Sequence, residues 1–433
     1  MDYVAFDQKY IWHPFTQEAT AQLNINIARG DGVYLYDNNG KEYVDLISSW
    51  WVNCHGHCNK KIAEAICRQT NELEHVIFAN FTHSPAIKLV SKLRNFLDPR
   101  LSNFFFSDNG STAVEIALKM TFQYWQNKGD NNRILFVGLD GNYHGDTVGA
   151  MSLGKSSGFY DPFGKLLFEV KYIPYPDTWI GDKDIGDKEG KALEFTENFL
   201  NQENEKISAF CLEPIVQGSS GMRMARADFI SKICKQFQKY NIPVIFDEVM
   251  TGFGRTGAMF SYQQTDVIPD ILCLSKALTG GFMPLALTIT TDSIHREFYS
   301  PDGHKTFLHG HSYTANPIAC AAAIASLEIF EENDVLGKIR KIEQVHQEEL
   351  KNLEKYDFLE KFRVSGLISA FEIKNIGGYG SDFSNTLKHK FFEAGLLLRP
   401  LGNVIYFLPP YIIDEDLLRI CYGKVLDIIK NTV

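Results

Sequence analysis

No uncharged apolar stretch in this 433-residue sequence approaches the roughly 18 residues of a membrane-spanning helix, which argues against an integral membrane protein built on helices. Runs of Lys or Arg are also missing, and with 43 basic against 53 acidic residues the formal net charge is -10. That balance argues against nucleic acid or an anionic membrane surface as the main partner. The first residues, Met1 to Asp7, show no basic segment followed by an apolar one, so we expect no secretory signal and a cytoplasmic location. The eight cysteines are scattered, which suggests reduced thiols rather than a disulfide framework. Cys54, His55, His57 and Cys58 are metal-ligand types, yet the cluster has no second half at a separated position, so no metal is expected. No internal repeat is visible.

What is present is a globular composition, 45% hydrophobic and 22% charged, long enough for two to three domains with substantial cores. Strand and helix patterns alternate between about residues 60 and 310, the signature of an α/β fold. Apolar runs near 104, 134, 209, 244 and 271 are expected to form one central, mostly parallel sheet flanked by helices. Residues 56–315 are therefore expected as the large domain. The segments 1–55 and 316–433 would together make a smaller α+β domain. Gly32 to Asp45 reads as a β-hairpin with an asparagine-glycine turn. Asn316 opens a long helix of small residues, and the polar stretch Gly181 to Glu205 reads as an exposed loop and a solvated helix.

Several motifs in this frame carry chemistry. Lys276 follows the apolar run Ile271 to Leu274 and precedes a Gly280-Gly281 turn, which would hold its amine in place and partly desolvated. Burial lowers a lysine's pKa and makes it a nucleophile. A lysine at a strand end is otherwise a solvated tip. Asp247-Glu248 closes the run Ile242 to Phe246 before a glycine-rich loop, the place in an open α/β sheet where ligand-facing groups sit. A helix cap or a metal ligand is the alternative for that pair. Gly110-Ser111 opens a helix with Ala113, Ala117, Met120 and Tyr124 on one face and Val114, Leu118 and Trp125 on another. Such a buried helix offers its N-terminus to a phosphate, although a turn with a capping box would read the same. Tyr143 and His144 follow the strand that starts at Arg133 and offer flat rings, Tyr143 being the better candidate to stack on a ligand. Arg399 lies in a strand that ends in a tight turn and suits two-point binding of a carboxylate, with an ion pair as the alternative. Trp50-Trp51 would wall a pocket for a medium-length alkyl chain, or simply fill the core.

In this order and spacing the motifs resemble the class III aminotransferases, which are fold type I enzymes dependent on pyridoxal 5'-phosphate. Finer similarity, to the group acting in biotin synthesis, is carried by Ile11 to Thr16, Ser48 to Trp51 with His55-Gly56, Glu213 to Gly218, Phe307 to Gly310, Arg399-Pro400 and Tyr406 to Tyr411. The similarity runs from about residue 6 to the C-terminus. It implies a transamination with 8-amino-7-oxononanoate and S-adenosylmethionine as small-molecule substrates. By the same resemblance Lys276 is the catalytic lysine that holds the cofactor, and Asp247 pairs with its ring nitrogen. Gly110 and Ser111 bind the phosphate and Tyr143 stacks. Phe15, Trp50, Tyr143, Gly310, Arg399 and Tyr406 contact substrate, with Arg399 on the acyl carboxylate. His311 and Ser312 complete the phosphate cup of the neighbouring subunit, which implies a homodimer.

This sequence departs from the family pattern at two places. Phe15 stands where tyrosine is usual, and His311-Ser312 where proline and threonine are frequent. Loss of a phenol hydroxyl removes a hydrogen bond worth about 0.5–1.5 kcal/mol. The amino donor is thereby left open between S-adenosylmethionine, lysine and another amine.

Overall fold

The computed structural model describes residues 2–21, 24–154, 158–378 and 381–433. Its centre is a seven-stranded sheet in the order Leu101–Ser107, Ala286–Thr291, Ile271–Leu274, Val244–Asp247, Ile207–Leu212, Leu135–Leu139, Val170–Ile173. Ala286–Thr291 is antiparallel to both of its neighbours, and the other pairings are parallel. All residues of Ile207–Leu212, Val244–Asp247 and Ile271–Leu274 are buried. Such continuous apolar runs are what a parallel sheet needs when helices cover both faces. The five expected strands are all in this sheet. The two that were not foreseen, Val170–Ile173 and Ala286–Thr291, lie at an edge and inside the antiparallel corner.

Helix Gly110–Asn127 packs on the sheet with Ala113, Val114, Ala117, Leu118, Met120 and Trp125 buried, as its two apolar faces predict. Asn109 is its N-cap and exchanges hydrogen bonds with Thr112. The capping box that the alternative reading of this segment would close on Glu115 is made by Asn109 and Thr112. The Glu115 carboxylate instead accepts from the Thr147 hydroxyl at 2.8 Å and from the amides of Gly149 and Ala150 at 3.2 and 2.8 Å, which ties down the start of helix Val148–Leu153. Helix Pro317–Glu332 begins at Asn316 as expected, and its small buried residues let it sit close against Lys60–Glu72 and Ser84–Leu93. The helix expected in the polar stretch is Ile185–Glu203, with Ala192, Thr196 and Leu200 turned inward.

Two smaller sheets use the chain ends. The hairpin Tyr34–Asp37 with Glu42–Asp45 turns at Gly40, whose φ of 83° a glycine adopts at no steric cost. Leu396–Leu397 joins it in parallel, so that a C-terminal strand is bonded to Val44 and Asp45. The antiparallel sheet Leu359–Ser365, Ile368–Ile373, Val404–Phe407 carries the rest. Among the described residues no helix is long and apolar enough to cross a membrane.

A buried polar chain runs beneath this last sheet. His346 donates from Nε2 to the Leu367 carbonyl at 3.1 Å and accepts at Nδ1 from the Tyr422 hydroxyl at 2.7 Å. Burial pushes its pKa down from 6.5 to about 3, and His55, buried against Ser326, falls to about 3 for the same reason with Arg255 adding to it. Both take up a proton more readily when unfolded. Their contribution to stability is therefore complete above pH 6.5 and is lost as the pH falls toward 3. The urea midpoint of the wild type should drop steeply across that range. His346→Gln should be less stable at neutral pH but show a shallower fall; equal slopes would contradict the assignment.

Candidate active site

Parallel strands deliver their carboxyl ends to one edge of the sheet, and the chemistry-bearing residues follow them there. Ser107 leads to Gly110 and Ser111, Leu139 to Tyr143, Leu212 to Glu213, and Leu274 to Lys276, while Asp247 is itself the last residue of its strand. Lys276 is held with φ at 45°, a left-handed conformation costing about 1–2 kcal/mol for a residue with a Cβ. Strain of this kind gathers at functional sites. Its Nζ lies 4.7 Å from the centre of the Trp51 ring. Burial lowers the Lys276 pKa to about 8, against the pull of Asp247 and Glu213 and with help from Arg255.

Asp247 accepts from the Val249 amide at 3.0 Å through one carboxylate oxygen and pairs with His144 Nδ1 at 2.8 Å through the other. Burial alone would lower the His144 pKa, but Cys211, 3.9 Å from Nε2, and Asp247 outweigh it and raise it well above the ordinary value. Glu213 is fixed by the amides of Tyr143 and Gly218, each at 3.0 Å, and burial pushes it up to about 7. Glu248 faces away from this group. It accepts from the amides of Ser261 and Tyr262 at 2.6 and 2.7 Å and caps that turn, so the two acids of the pair divide between site and scaffold.

The N-terminus of helix Gly110–Asn127 forms the opposite end. Ser111 Oγ accepts from the Thr147 amide at 3.0 Å and bonds its hydroxyl at 2.8 Å. A Cβ at Gly110 would come within 2.5 Å of Val249, and one at Gly145 within 2.3 Å of Ser111 Oγ, so both glycines keep this end open. Tyr143 donates to Asp146 at 3.1 Å and stacks on Tyr160 with ring centres 6.3 Å apart.

An aromatic wall closes the other side. Ser48, Ser49, Trp50 and Trp51 all have positive φ, at 50°, 47°, 75° and 71°, which makes a left-handed turn of non-glycine residues. Buried Arg255 clamps it, donating to Ser48 Oγ at 3.0 Å and to the carbonyls of Trp51 and Asn53 at 3.2 and 3.4 Å. The turn aims Trp51 at Lys276, with its Nε1 donating to the Tyr406 hydroxyl at 3.1 Å. Trp50 faces outward under the Arg399 guanidinium at 4.8 Å, and Phe15 meets Trp50 and Phe159 edge-on at 5.6 and 5.8 Å.

These groups enclose a cavity of about 860 Å³. Of the residues expected from sequence it brings together Phe15, Trp50, Gly110, Ser111, Tyr143, Asp247, Lys276, Arg399 and Tyr406. Gly310, His311 and Ser312 do not line it. They follow His309, whose Nδ1 accepts from the Lys119 ammonium at 2.9 Å. Trp51 lines the cavity beside Trp50, as the tandem tryptophans suggested, whereas sequence reasoning passed over His144 as a partner of Asp247 and over Glu213 and Arg255 as parts of the site. His55 and His57 are engaged by Ser326 and Asp45, and among the described residues no group of three or more His, Cys, Asp or Glu side chains could hold a metal ion. With its pKa near 8, Lys276 should react with a small amine-directed reagent in cofactor-free protein with a midpoint near that pH, read by peptide mass spectrometry. A midpoint at the ordinary 10.5 would show that the amine is not desolvated.

This geometry can be set beside known proteins. The family model described as aminotransferase class-III matches residues 15–429. The adenosylmethionine-8-amino-7-oxononanoate aminotransferase of Synechococcus elongatus is 45% identical, covering 98% of this chain and 99% of that protein. A crystal structure of the protein of the same name from Methanocaldococcus jannaschii aligns with a TM-score of 0.92 at 36% identity, covering 99% of this chain and 98% of that one. An omega transaminase from Pseudomonas jessenii, solved in complex with PMP, aligns at 0.93 with 27% identity over 100% of this chain and 98% of its own. Lys276, Asp247 and the Gly110 helix thus stand in a chain that belongs to the class III aminotransferase family.

Proposed function

We propose that this enzyme aminates the ketone of 8-amino-7-oxononanoate to give 7,8-diaminononanoate in biotin synthesis, with S-adenosylmethionine as amino donor. The observation that carries the reading is the pairing of Lys276 and Arg399 across one aromatic-walled cavity in a chain so similar, end to end, to proteins of that name. Pyridoxal phosphate is the cofactor of this family, and the residues present fit it. A helix N-terminus kept open by Gly110, with the Ser111 hydroxyl, suits the phosphate. Asp247, oriented by His144 and the Val249 amide, suits the ring nitrogen, and the Tyr143 ring and Val249 in the cavity lining suit the flat apolar part of the cofactor.

The bound cofactor would supply an electron sink for the carbon that bears the amine. The chain's own residues do the rest. Lys276 anchors the cofactor, and once freed its Nζ takes the proton from the donor carbon and returns one on the other side of the reaction. Its lowered pKa keeps a neutral fraction available near neutral pH. Arg399 binds the acyl carboxylate, while Trp50, Phe15 and Tyr406 line the path of the alkyl chain and exclude water from it.

In this reading residues 56–315 form the cofactor domain, and 1–55 with 316–433 the smaller one. The active unit is a homodimer acting in the cytoplasm. The segment Gly310, His311 and Ser312 is supplied to the neighbouring site, in keeping with its place outside its own cavity and with exposed Leu308 and Tyr313 beside it.

A second reading, an ω-amino acid transaminase, draws on the likeness to the Pseudomonas jessenii structure and on Phe15. The half-reaction separates them. Holo-enzyme mixed with S-adenosylmethionine, lysine or a simple ω-amino acid is followed by loss of the cofactor's visible band. Conversion by S-adenosylmethionine alone is expected. Conversion by lysine would change the donor, and conversion only by a simple ω-amino acid would overturn the proposal in favour of the second reading.

A further inference from the structure

The left-handed tryptophan turn needs a force that holds it, and Arg255 grips the Ser48 hydroxyl and the carbonyl side. The amide side belongs to Asp45. This carboxylate is fully buried at the end of strand Glu42–Asp45 and takes four donors. Oδ1 accepts from the amides of Ile47 and Ser49 at 3.1 and 3.0 Å, and Oδ2 from the Ser49 hydroxyl at 2.8 Å. The fourth contact on Oδ2 is His57 Nε2 at 2.9 Å.

His57 is itself oriented. Its Nδ1 faces the Asn53 amide nitrogen at 2.9 Å, so Nδ1 accepts and Nε2 carries the hydrogen that goes to Asp45. Its own amide donates to the Gly32 carbonyl at 2.7 Å, and its Cβ lies where a Cβ at Gly30 would have to be, at 2.7 Å. The ring therefore has little room to leave. Each of the turn's non-glycine residues is strained in the left-handed region, and a buried carboxylate that takes several hydrogen bonds is the kind of partner that offsets it.

We infer that Asp45 and His57 are positioning residues, which set the aim of Trp50 and Trp51 and through them the two cations of the site. The inference rests on the proposed roles of Lys276 and Arg399. One turn serves both: Trp51 lies under Lys276 Nζ at 4.7 Å, and Trp50 under Arg399 at 4.8 Å. The coupling is doubled through the backbone, because Asp45 pairs in register with Leu397, in the short strand that leads to Arg399. Loss of the His57 donor would free Asp45 Oδ2, relax the turn, and displace both rings.

The test compares His57→Phe, which keeps a ring but removes the donor, with His57→Gln, which keeps a donor. Ser49→Ala is a milder probe of the same carboxylate should the ring replacement prevent folding. Three readouts apply: the near-ultraviolet circular dichroism of cofactor-free protein, the pH midpoint of the visible band of holo-protein, and KM against kcat for the carboxylate-bearing substrate. His57→Phe should change the tryptophan dichroism, move the pH midpoint, and raise KM by about ten- to a hundredfold, the scale of a small misplacement in a site. His57→Gln should restore all three toward wild type, and Ser49→Ala should shift them in the same direction by less. Variants that melt earlier but keep wild-type dichroism, midpoint and KM well below their melting temperature would reduce the pair to a structural role and overturn the inference. A wild-type protein without a visible band would instead count against the Lys276 reading, while the dichroism of cofactor-free protein would still report on the turn.

Discussion

The site depends on one buried amine that gives up its proton near pH 8, well below the ordinary 10.5, beside carboxylates that favour keeping it. Burial weakens the hold of Lys276 on its proton, Asp247 and Glu213 strengthen it, and the balance leaves the pKa at about 8, so the amine keeps a neutral fraction near neutral pH. Neither influence could be much larger. A fully apolar surround would leave a neutral amine with nothing to return a proton to, and a close ion pair would leave an inert ammonium. The fold strikes the balance by sending Lys276 and Asp247 from adjacent parallel strands, with Lys276 turned into a left-handed conformation just past its strand end.

Around that pair the structure spends polar groups on orientation. His144 holds Asp247, the Tyr143 and Gly218 amides hold Glu213, and Arg255 holds the tryptophan turn. Each is buried and would be costly to leave unpaired. The Arg255 hydrogen bonds tie the large sheet's edge to a segment from the chain's start, so the cavity is closed by residues distant in sequence. Phe15 and Trp50 from the chain's start and Arg399 from near its end reach the same space.

Much of this was legible in the sequence. Lys276, Asp247, Gly110, Ser111 and Tyr143 each follow an apolar run that reads as a strand, and ligand-facing groups in an open α/β sheet sit at strand carboxyl ends. What the sequence concealed were interactions without a local signal. Glu115 sits at capping-box spacing yet caps a different helix, because Asn109 and Thr112 satisfy the first one. His144 was passed over because a histidine beside a tyrosine carries no sign of which ring turns inward. The left-handed conformation of Ser48 to Trp51 violates the ordinary preference of those residue types, and it is held by distant Arg255 together with Asp45, three residues upstream. Arg255 itself looked like one member of a glycine-rich loop.

The central claim is that Lys276 alone anchors the cofactor. Borohydride reduction of the holo-protein, followed by peptide mapping in wild type and Lys276→Ala, tests it most directly. The account predicts a cofactor-sized mass increment on the peptide that contains Lys276 and none in the variant. An increment on another lysine, or trapping that persists in the variant, would contradict it.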